Sequence, residues 1–162
     1  MQLKLDFLIH IGCRNVKHQQ RTLLEHLKGT SDKLKNMGAP QYLQDAGLFH
    51  SIYGTDYFEH KTDITRELIA SLIGQRAEQL VYFFCSLPDR NIQILQHKFK
   101  PDELQRDLYI IEYANLLEIS VDDVQSTGAL NPSKIFRLRL MRANLMDHYK
   151  FKMPPLPFNF PS

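Results

Sequence analysis

Three polar residues, His26, His50 and Asn115, occupy positions where helical spacing places apolar side chains. His50 shares one helical face with Leu43 and Ala46. His26 borders the apolar face of the preceding helix, and Asn115 interrupts that of a later one. A buried polar side chain needs a hydrogen-bond partner or a metal ion. Each of the three alone is explained by an internal hydrogen bond, but together they predict an inward polar pocket of the kind that holds a metal or a phosphate inside a helical bundle.

Helical periodicity extends over almost the whole chain, and no convincing alternating strand pattern accompanies it. Gly38 and Pro40 separate two of the predicted helices. We therefore predict an all-α fold, a single bundle of about six to eight helices. In the first half of the chain, the predicted helices cover residues 1–13, 21–37 and 40–53, and a further helix is capped by Thr62 or Asp63. Residues 77–86 have few polar positions and are predicted to form the central, nearly buried helix. Three more helices are predicted: one over residues 102–119, a short one capped by Ser120 with Asp123, and a last one that begins at Asn131-Pro132.

The composition is that of an ordinary globular domain. The chain has 162 residues, of which 43% are hydrophobic, and its 20 basic and 18 acidic residues give a net charge of +2. A charge this close to balance does not favour nucleic-acid binding. No stretch of the sequence approaches the roughly 18 consecutive apolar residues that are needed to span a membrane. The two isolated cysteines, Cys13 and Cys85, suit a reducing compartment. We expect one domain over residues 1–153 and a cytoplasmic location.

The end of the chain differs from the rest. Residues 154–162 contain four prolines, which exclude a helix, so we predict an extended C-terminal tail that packs through its phenylalanines. The last predicted helix is basic, with six Lys and Arg against one acid over residues 134–152, whereas residues 102–123 hold seven acids against one base. Opposite local charges favour pairing within the chain or between the subunits of a homo-oligomer.

One segment, AGLFHSIYGT (46–55), resembles the AALLHD motif of the HD-domain superfamily, which consists of all-α metal-dependent phosphohydrolases. The most similar type is the ppGpp hydrolase domain of stringent-response enzymes. As in that family, a His-Leu pair at His26 precedes the second histidine by 24 residues, and residues 67–89 and 110–119 are similar to two further helical segments. The HS-x-YGT and FCS-L-x-x-R patterns also resemble a group of uncharacterised HD-like proteins of bacteria and plants.

The resemblance implies a metal site, but the chain departs from the family at both acidic positions. The family's ligands are His, His-Asp and a distant Asp, and the corresponding residues here are His26, His50, Ser51 and Asn115. Without the two carboxylates the site suits Mn²⁺ poorly, and Zn²⁺ would need a third strong ligand beside the histidines. For a divalent Zn, Mn or Fe ion, that ligand would come from the loop 56–63, which contains Asp56, Glu59 and His60.

The resemblance also implies that a basic segment, residues 14–21, lies at a nucleotide-binding site. Lys17, His18 and Arg21 would then meet a phosphate or an acidic group, with Tyr53, Asp89 and Arg90 at the border of the same opening. Solvated side chains around the start of a helix are the alternative interpretation of these basic residues.

Three functional hypotheses follow. The leading one is a degenerate HD-like domain whose polar pocket binds a small ligand, a nucleotide or another phosphate compound. The second is an active metal-dependent hydrolase, whose ion would be held by His26, His50 and an acid from the loop 56–63. The third is a protein-interaction module that uses the basic last helix and the tail.

Overall fold

A computed structural model describes residues 1–54, 64–96, 102–151 and 153, and within them the fold is all-α, as the periodicity predicts. The strands in these residues are limited to one antiparallel hairpin of β1 (Lys17–His18) and β2 (Arg21–Thr22), which follows a short 3-10 turn at Cys13–Asn15. The tail predicted for residues 154–162 lies outside the described residues. The helices are α1 (Gln2–His10), α2 (Leu23–Asn36), α3 (Gln41–Phe49), α4 (Arg66–Ile73), α5 (Gln75–Ser86), α6 (Arg90–Leu95), α7 (Asp102–Thr127) and α8 (Pro132–Asp147).

α2 begins two residues later than its periodicity predicts, because Arg21 and Thr22 belong to the hairpin. Thr22 is the N-cap. Its hydroxyl accepts a hydrogen bond from the Glu25 backbone N–H, and the Glu25 carboxylate accepts one from the Thr22 N–H. This capping box fixes the first residues of α2, which lead directly to His26. Gly38 adopts a φ of +72° just after the helix, a left-handed conformation that ends it.

α4 is capped by Thr65, whose hydroxyl accepts a hydrogen bond from the Leu68 backbone N–H. The caps predicted from the sequence, Thr62 and Asp63, lie outside the described residues. Since Thr65 holds the N-cap position and α4 begins at the next residue, the predicted start of this helix was two or three residues early.

α7 is the central helix, a place that the sequence pattern assigned to residues 77–86. That stretch of α5 is buried on one side only, and Phe83 is 43% exposed. All side chains from residue 107 to residue 118 of α7 are buried, and the helix packs against α2, α3, α5, α6 and α8. The prediction was wrong because it rested on the small number of polar residues in 77–86, whereas the acids of α7 are buried in ion pairs with neighbouring elements.

The short helix predicted to start at Ser120 does not exist as a separate element. The Ser120 hydroxyl donates a hydrogen bond to the Leu116 carbonyl, one turn back, so it bonds within a continuous α7 and caps nothing. α8 starts as predicted, with Asn131 as its N-cap and Pro132 in its first turn. Among the described residues, no helix has both the length and the apolar character to cross a membrane.

Candidate functional site

The two histidines predicted for the pocket are in contact. His26 lies near the start of α2 and His50 directly follows α3, and their Nε2 atoms are 3.2 Å apart. Both residues are buried. The His18 ring of the hairpin stacks on the His26 ring with 4.1 Å between centroids, and the Phe84 ring of α5 meets His50 at a right angle. The fold thus brings together imidazoles from three elements that are separate in sequence.

Burial keeps both imidazoles of this pair neutral. Loss of hydration is the largest cause that lowers the pKa of each ring far below its usual value. For His26, the nearby His50 lowers the pKa further. For His50, the hydrogen bond to the Gly47 carbonyl raises the pKa and the charge of Arg90 lowers it, and both effects are smaller than that of burial.

The hydrogen bonds determine which nitrogen of each ring carries the proton. His50 Nδ1 lies 2.7 Å from the Gly47 carbonyl oxygen, which can only accept, so a neutral His50 has its proton on Nδ1 and an acceptor at Nε2. His26 Nε2 is then the donor in the pair. His26 Nδ1 consequently is a buried acceptor, and it has no hydrogen-bond partner among the described residues.

Asn115 and Ser51 extend this polar surface. The Asn115 carboxamide interacts with both imidazoles, and its Nδ2 donates a hydrogen bond to Glu112 Oε2 at 3.2 Å. Ser51 follows His50 in the chain and is buried. These two uncharged side chains and the three imidazoles line one cavity. We call them the imidazole wall, which consists of His18, His26, His50, Ser51 and Asn115.

The imidazole wall borders a cavity of about 470 Å³ to which α2, α5, α6, α7 and α8 all contribute side chains. This volume lies within the range of about 300–1,000 Å³ that is typical of small-molecule sites. The Cys85 thiol also lines the cavity and donates a hydrogen bond to the His50 carbonyl at 3.1 Å. Burial raises the pKa of Cys85 to about 11, so at neutral pH it is a thiol and not a nucleophilic thiolate.

A second face of the cavity, the cationic wall, consists of Arg90, Lys134 and Arg137 around the buried carboxylate of Glu112. Arg137 Nη2 donates a hydrogen bond to Glu112 Oε1 at 3.3 Å, and Arg90 Nε lies 3.6 Å from Oε2. Lys134 is paired with Asp123. The Nε–H groups of Arg90 and Arg137 are buried and have no hydrogen-bond acceptor within the described part of the chain. One carboxylate therefore faces two guanidinium groups and leaves donors of both unused.

Three residues predicted for the site do not line the cavity. Arg21 forms an ion pair with Glu118 of α7, and Tyr53 donates its hydroxyl to Glu78 Oε1 of α5 at 2.9 Å. Lys17 is exposed on the hairpin. The antiparallel pairing of β1 with β2 brings only His18 of this basic segment to the cavity, because the strand and the helix cap direct the other two basic side chains elsewhere.

Sequence reasoning missed Glu112, Lys134 and Arg137. Glu112 stands three residues before Asn115, a spacing that places two side chains on the same helical face, so it was recoverable once Asn115 had been singled out. Lys134 and Arg137 have the same spacing in the basic helix. Nothing in that helix, however, indicates that its first turns pack beside α7, because that contact joins distant parts of the chain.

The His26–His50 pair has the separation of two ligands to one metal ion. Two imidazole nitrogens bound to Zn²⁺ at about 2.0–2.1 Å in tetrahedral geometry would be about 3.3 Å apart. Over the ranges that the structure describes, however, no three His, Cys, Asp or Glu residues come close enough together to hold a metal ion. The third ligand predicted from the loop 56–63 lies outside those ranges.

Comparison with protein families identifies a domain of unknown function, DUF6817, over residues 7–90. The matched stretch is more than half of the chain and includes His26, His50 and Arg90, whereas Asn115 and Arg137 follow it. No curated protein and no solved structure matches the chain. The chain therefore belongs to the DUF6817 family.

Proposed function

We propose that the protein is a degenerate HD-like domain whose cavity binds a small phosphate compound, such as a nucleotide. The observation that carries the proposal is the pair of buried Nε–H groups on Arg90 and Arg137, which line the cavity and have no acceptor among the described residues. A buried donor without an acceptor costs about 1–3 kcal/mol. Phosphate oxygens between the two guanidinium groups would remove that cost.

The charges of the cationic wall favour an anion of this kind. Arg90 and Arg137 share the single carboxylate of Glu112, so their cluster retains one positive charge. A planar guanidinium group binds phosphate through two parallel N–H···O hydrogen bonds. The carboxylates of Asp89 and Glu112 also line the cavity, and they disfavour a ligand with many negative charges. A monophosphate fits this balance better than a polyphosphate.

The remainder of the ligand would contact the imidazole wall. The neutral imidazoles of His26 and His50, the Ser51 hydroxyl and the Asn115 carboxamide exchange hydrogen bonds with hydroxyl or amide groups. His26 Nδ1 is a buried acceptor whose partner a ligand hydroxyl would supply. These contacts favour a phosphate ester with a polar, uncharged body.

Two parts of the proposal rest on other observations. The HD-like assignment rests on the motifs at His26 and His50 and on the all-α fold that contains them.

We place the protein in the cytosol because neither Cys13 nor Cys85 is in a disulfide.

Isothermal titration calorimetry tests the phosphate site. We expect wild-type protein to bind adenosine monophosphate or a hexose phosphate, and to bind inorganic phosphate more weakly at the same place. Arg137→Met should weaken binding by about tenfold to a hundredfold, the range given by loss of one charge-assisted hydrogen bond. Lys17→Met is the matched control and should bind as the wild type does, because Lys17 lies outside the cavity. The proposal would be contradicted if none of these probes bound to the wild-type protein. It would also be contradicted if Arg137→Met and Lys17→Met lost the same amount of affinity.

The separation of the two Nε2 atoms supports a second candidate, a metal-dependent hydrolase. Its ion would be held by His26, His50 and a side chain from the loop 56–63, and it would supply a water of lowered pKa for hydrolysis of a phosphate ester. Elemental analysis of protein purified without chelators distinguishes the candidates. About one equivalent of Zn, Mn or Fe, lost in His50→Ala, would favour the hydrolase. Metal-free protein that still binds a monophosphate would favour the binding domain.

A further inference from the structure

The outer face of α8 is apolar although it faces solvent. Phe136 is 68% exposed, Leu140 41% and Met146 45%, and Ala143 between them is also exposed. Leu138, Met141 and Leu145 of the opposite face are buried in the core. α8 thus has apolar side chains on two faces, of which the protein's own core covers only one. A contiguous exposed apolar face of this kind marks an interaction surface.

Two charged residues on the same outer face are placed symmetrically about Ala143. Arg139 lies four residues before Ala143 and Asp147 four residues after it, and both are exposed. At a rise of about 1.5 Å per residue, each charge is about 6 Å along the axis from Ala143, and the two have opposite signs. Leu140 and Met146 are also placed symmetrically about Ala143, with Leu140 three residues before it and Met146 three residues after it.

This arrangement is complementary to a second copy of itself in antiparallel orientation. With a two-fold axis at Ala143, the residue n positions before it faces the residue n positions after it on the other chain. Arg139 of each copy then faces Asp147 of the other, and Leu140 faces Met146. A parallel pair would instead bring like charges together. The small side chain of Ala143 permits close approach of the two helices at the axis.

We propose that the outer face of α8, defined by Phe136, Arg139, Leu140, Ala143, Met146 and Asp147, is the interface of an antiparallel homodimer. Arg139 has five N–H donors, so it bonds to the partner's Asp147 alongside contacts within its own chain. One helix face is smaller than an interface of standard size, and we therefore expect a weak dimer with a dissociation constant in the micromolar to millimolar range.

Sedimentation velocity over protein concentrations from about 1 μM to about 1 mM tests the proposal. Wild-type protein should shift from monomer to dimer. Arg139→Glu and Asp147→Arg, each examined alone, should raise the dissociation constant about tenfold or more, because each homodimer would contain two facing pairs of like charge. Lys35→Glu, the same change of charge at an exposed position of α2, is the control and should dimerise as the wild type does. Circular dichroism checks that all variants remain folded.

Mixing the two single variants gives the sharpest result. In a mixed dimer, Glu at position 139 faces Arg at position 147, and Arg139 of the other chain faces Asp147, so both contacts become attractive again. We expect the equimolar mixture to dimerise about as strongly as the wild type. A wild-type chain that stays monomeric up to about 1 mM would overturn the proposal. So would dimers that are indifferent to both substitutions, or a mixture no tighter than the single variants.

Discussion

Two buried carboxylates of α7, Glu118 and Glu112, each face two cationic side chains, but their surroundings differ. Glu118 is paired with Arg21 and Lys33, and it packs so closely on α2 that a Cβ on Gly29 would lie 2.1 Å from its Oε1. Glu112 is paired with Arg90 and Arg137 beside a cavity of about 470 Å³.

The difference shows how similar ion pairs serve different purposes. The Glu118 cluster has no room for a ligand, and it joins the hairpin and α2 to the central helix. The Glu112 cluster leaves buried guanidinium N–H groups at the edge of the cavity, a condition that costs stability unless a ligand supplies the acceptors. A close-packed ion cluster stabilises the fold, whereas one that lines a cavity is a candidate binding site.

The largest expected effect concerns the packed cluster. Gly29→Ala should lower the free energy of unfolding by about 3–5 kcal/mol, because the added methyl group displaces a buried carboxylate from its partners. Gly47→Ala is the matched control, since its Cβ would meet Leu34 Cδ1 at 2.2 Å and the cost there is overpacking alone, about 1–3 kcal/mol. Urea denaturation measures both. Equal losses in the two variants would show that the Glu118 cluster contributes little.

The pH dependence of stability tests how well the imidazole wall excludes water. His26 and His50 have a lowered pKa in the folded protein and therefore stay neutral, while in the unfolded chain they take up protons as the pH falls below about 6.5. Stability is thus complete above that pH and is lost below it, with a slope that approaches about 1.4 kcal/mol per pH unit for each histidine.

Denaturation midpoints between pH 6.5 and about pH 5, above the range where carboxylates dominate, measure this slope. His26→Gln should reduce it by about half of the contribution of the pair. His10→Gln, at an exposed position of α1, controls for loss of an imidazole outside the pair. Stability that is flat over this range would show that water hydrates the imidazole wall.

A smaller effect is expected at the open cluster. Glu112→Gln should cost less stability than Gly29→Ala, because the amide oxygen of the glutamine can still accept a hydrogen bond from a guanidinium group. It should also strengthen binding of adenosine monophosphate about tenfold, since Glu112 and a phosphate compete for the positive charge of the same two guanidinium groups. Calorimetry provides the measurement. Weaker binding in this variant would mean that Glu112 positions Arg90 and Arg137 for the ligand and does not compete with it.

The sequence was sufficient for the parts of the fold that depend on local spacing. The all-α class, the end of α2 at Gly38 and the start of α8 at Asn131 follow from periodicity and capping residues, and the structure confirms them. Ser120 was misinterpreted because a serine that bonds back one turn within a helix has the same local sequence as one that caps a new helix.

The candidate site depended more on contacts between distant segments. The spacing of apolar residues around His26 and His50 indicates that both face the core, so their proximity was predictable. Arg137 was not recoverable, because its place at the cavity depends on how α8 packs against α7. Arg21 was assigned to the pocket, but the buried acid Glu118 on a distant helix pairs with it instead. Charge in the sequence shows which residues need partners and not which partners they find.

The most direct test of the phosphate site observes the Nε–H groups of Arg90 and Arg137 themselves. Nuclear magnetic resonance of ¹⁵N-labelled protein resolves arginine Nε–H signals, which Arg90→Lys and Arg137→Lys variants assign. On titration with adenosine monophosphate, both signals should shift downfield and saturate together, as expected when donors without acceptors gain phosphate oxygens. Signals that remain unchanged at saturating ligand, while other residues respond, would contradict the account.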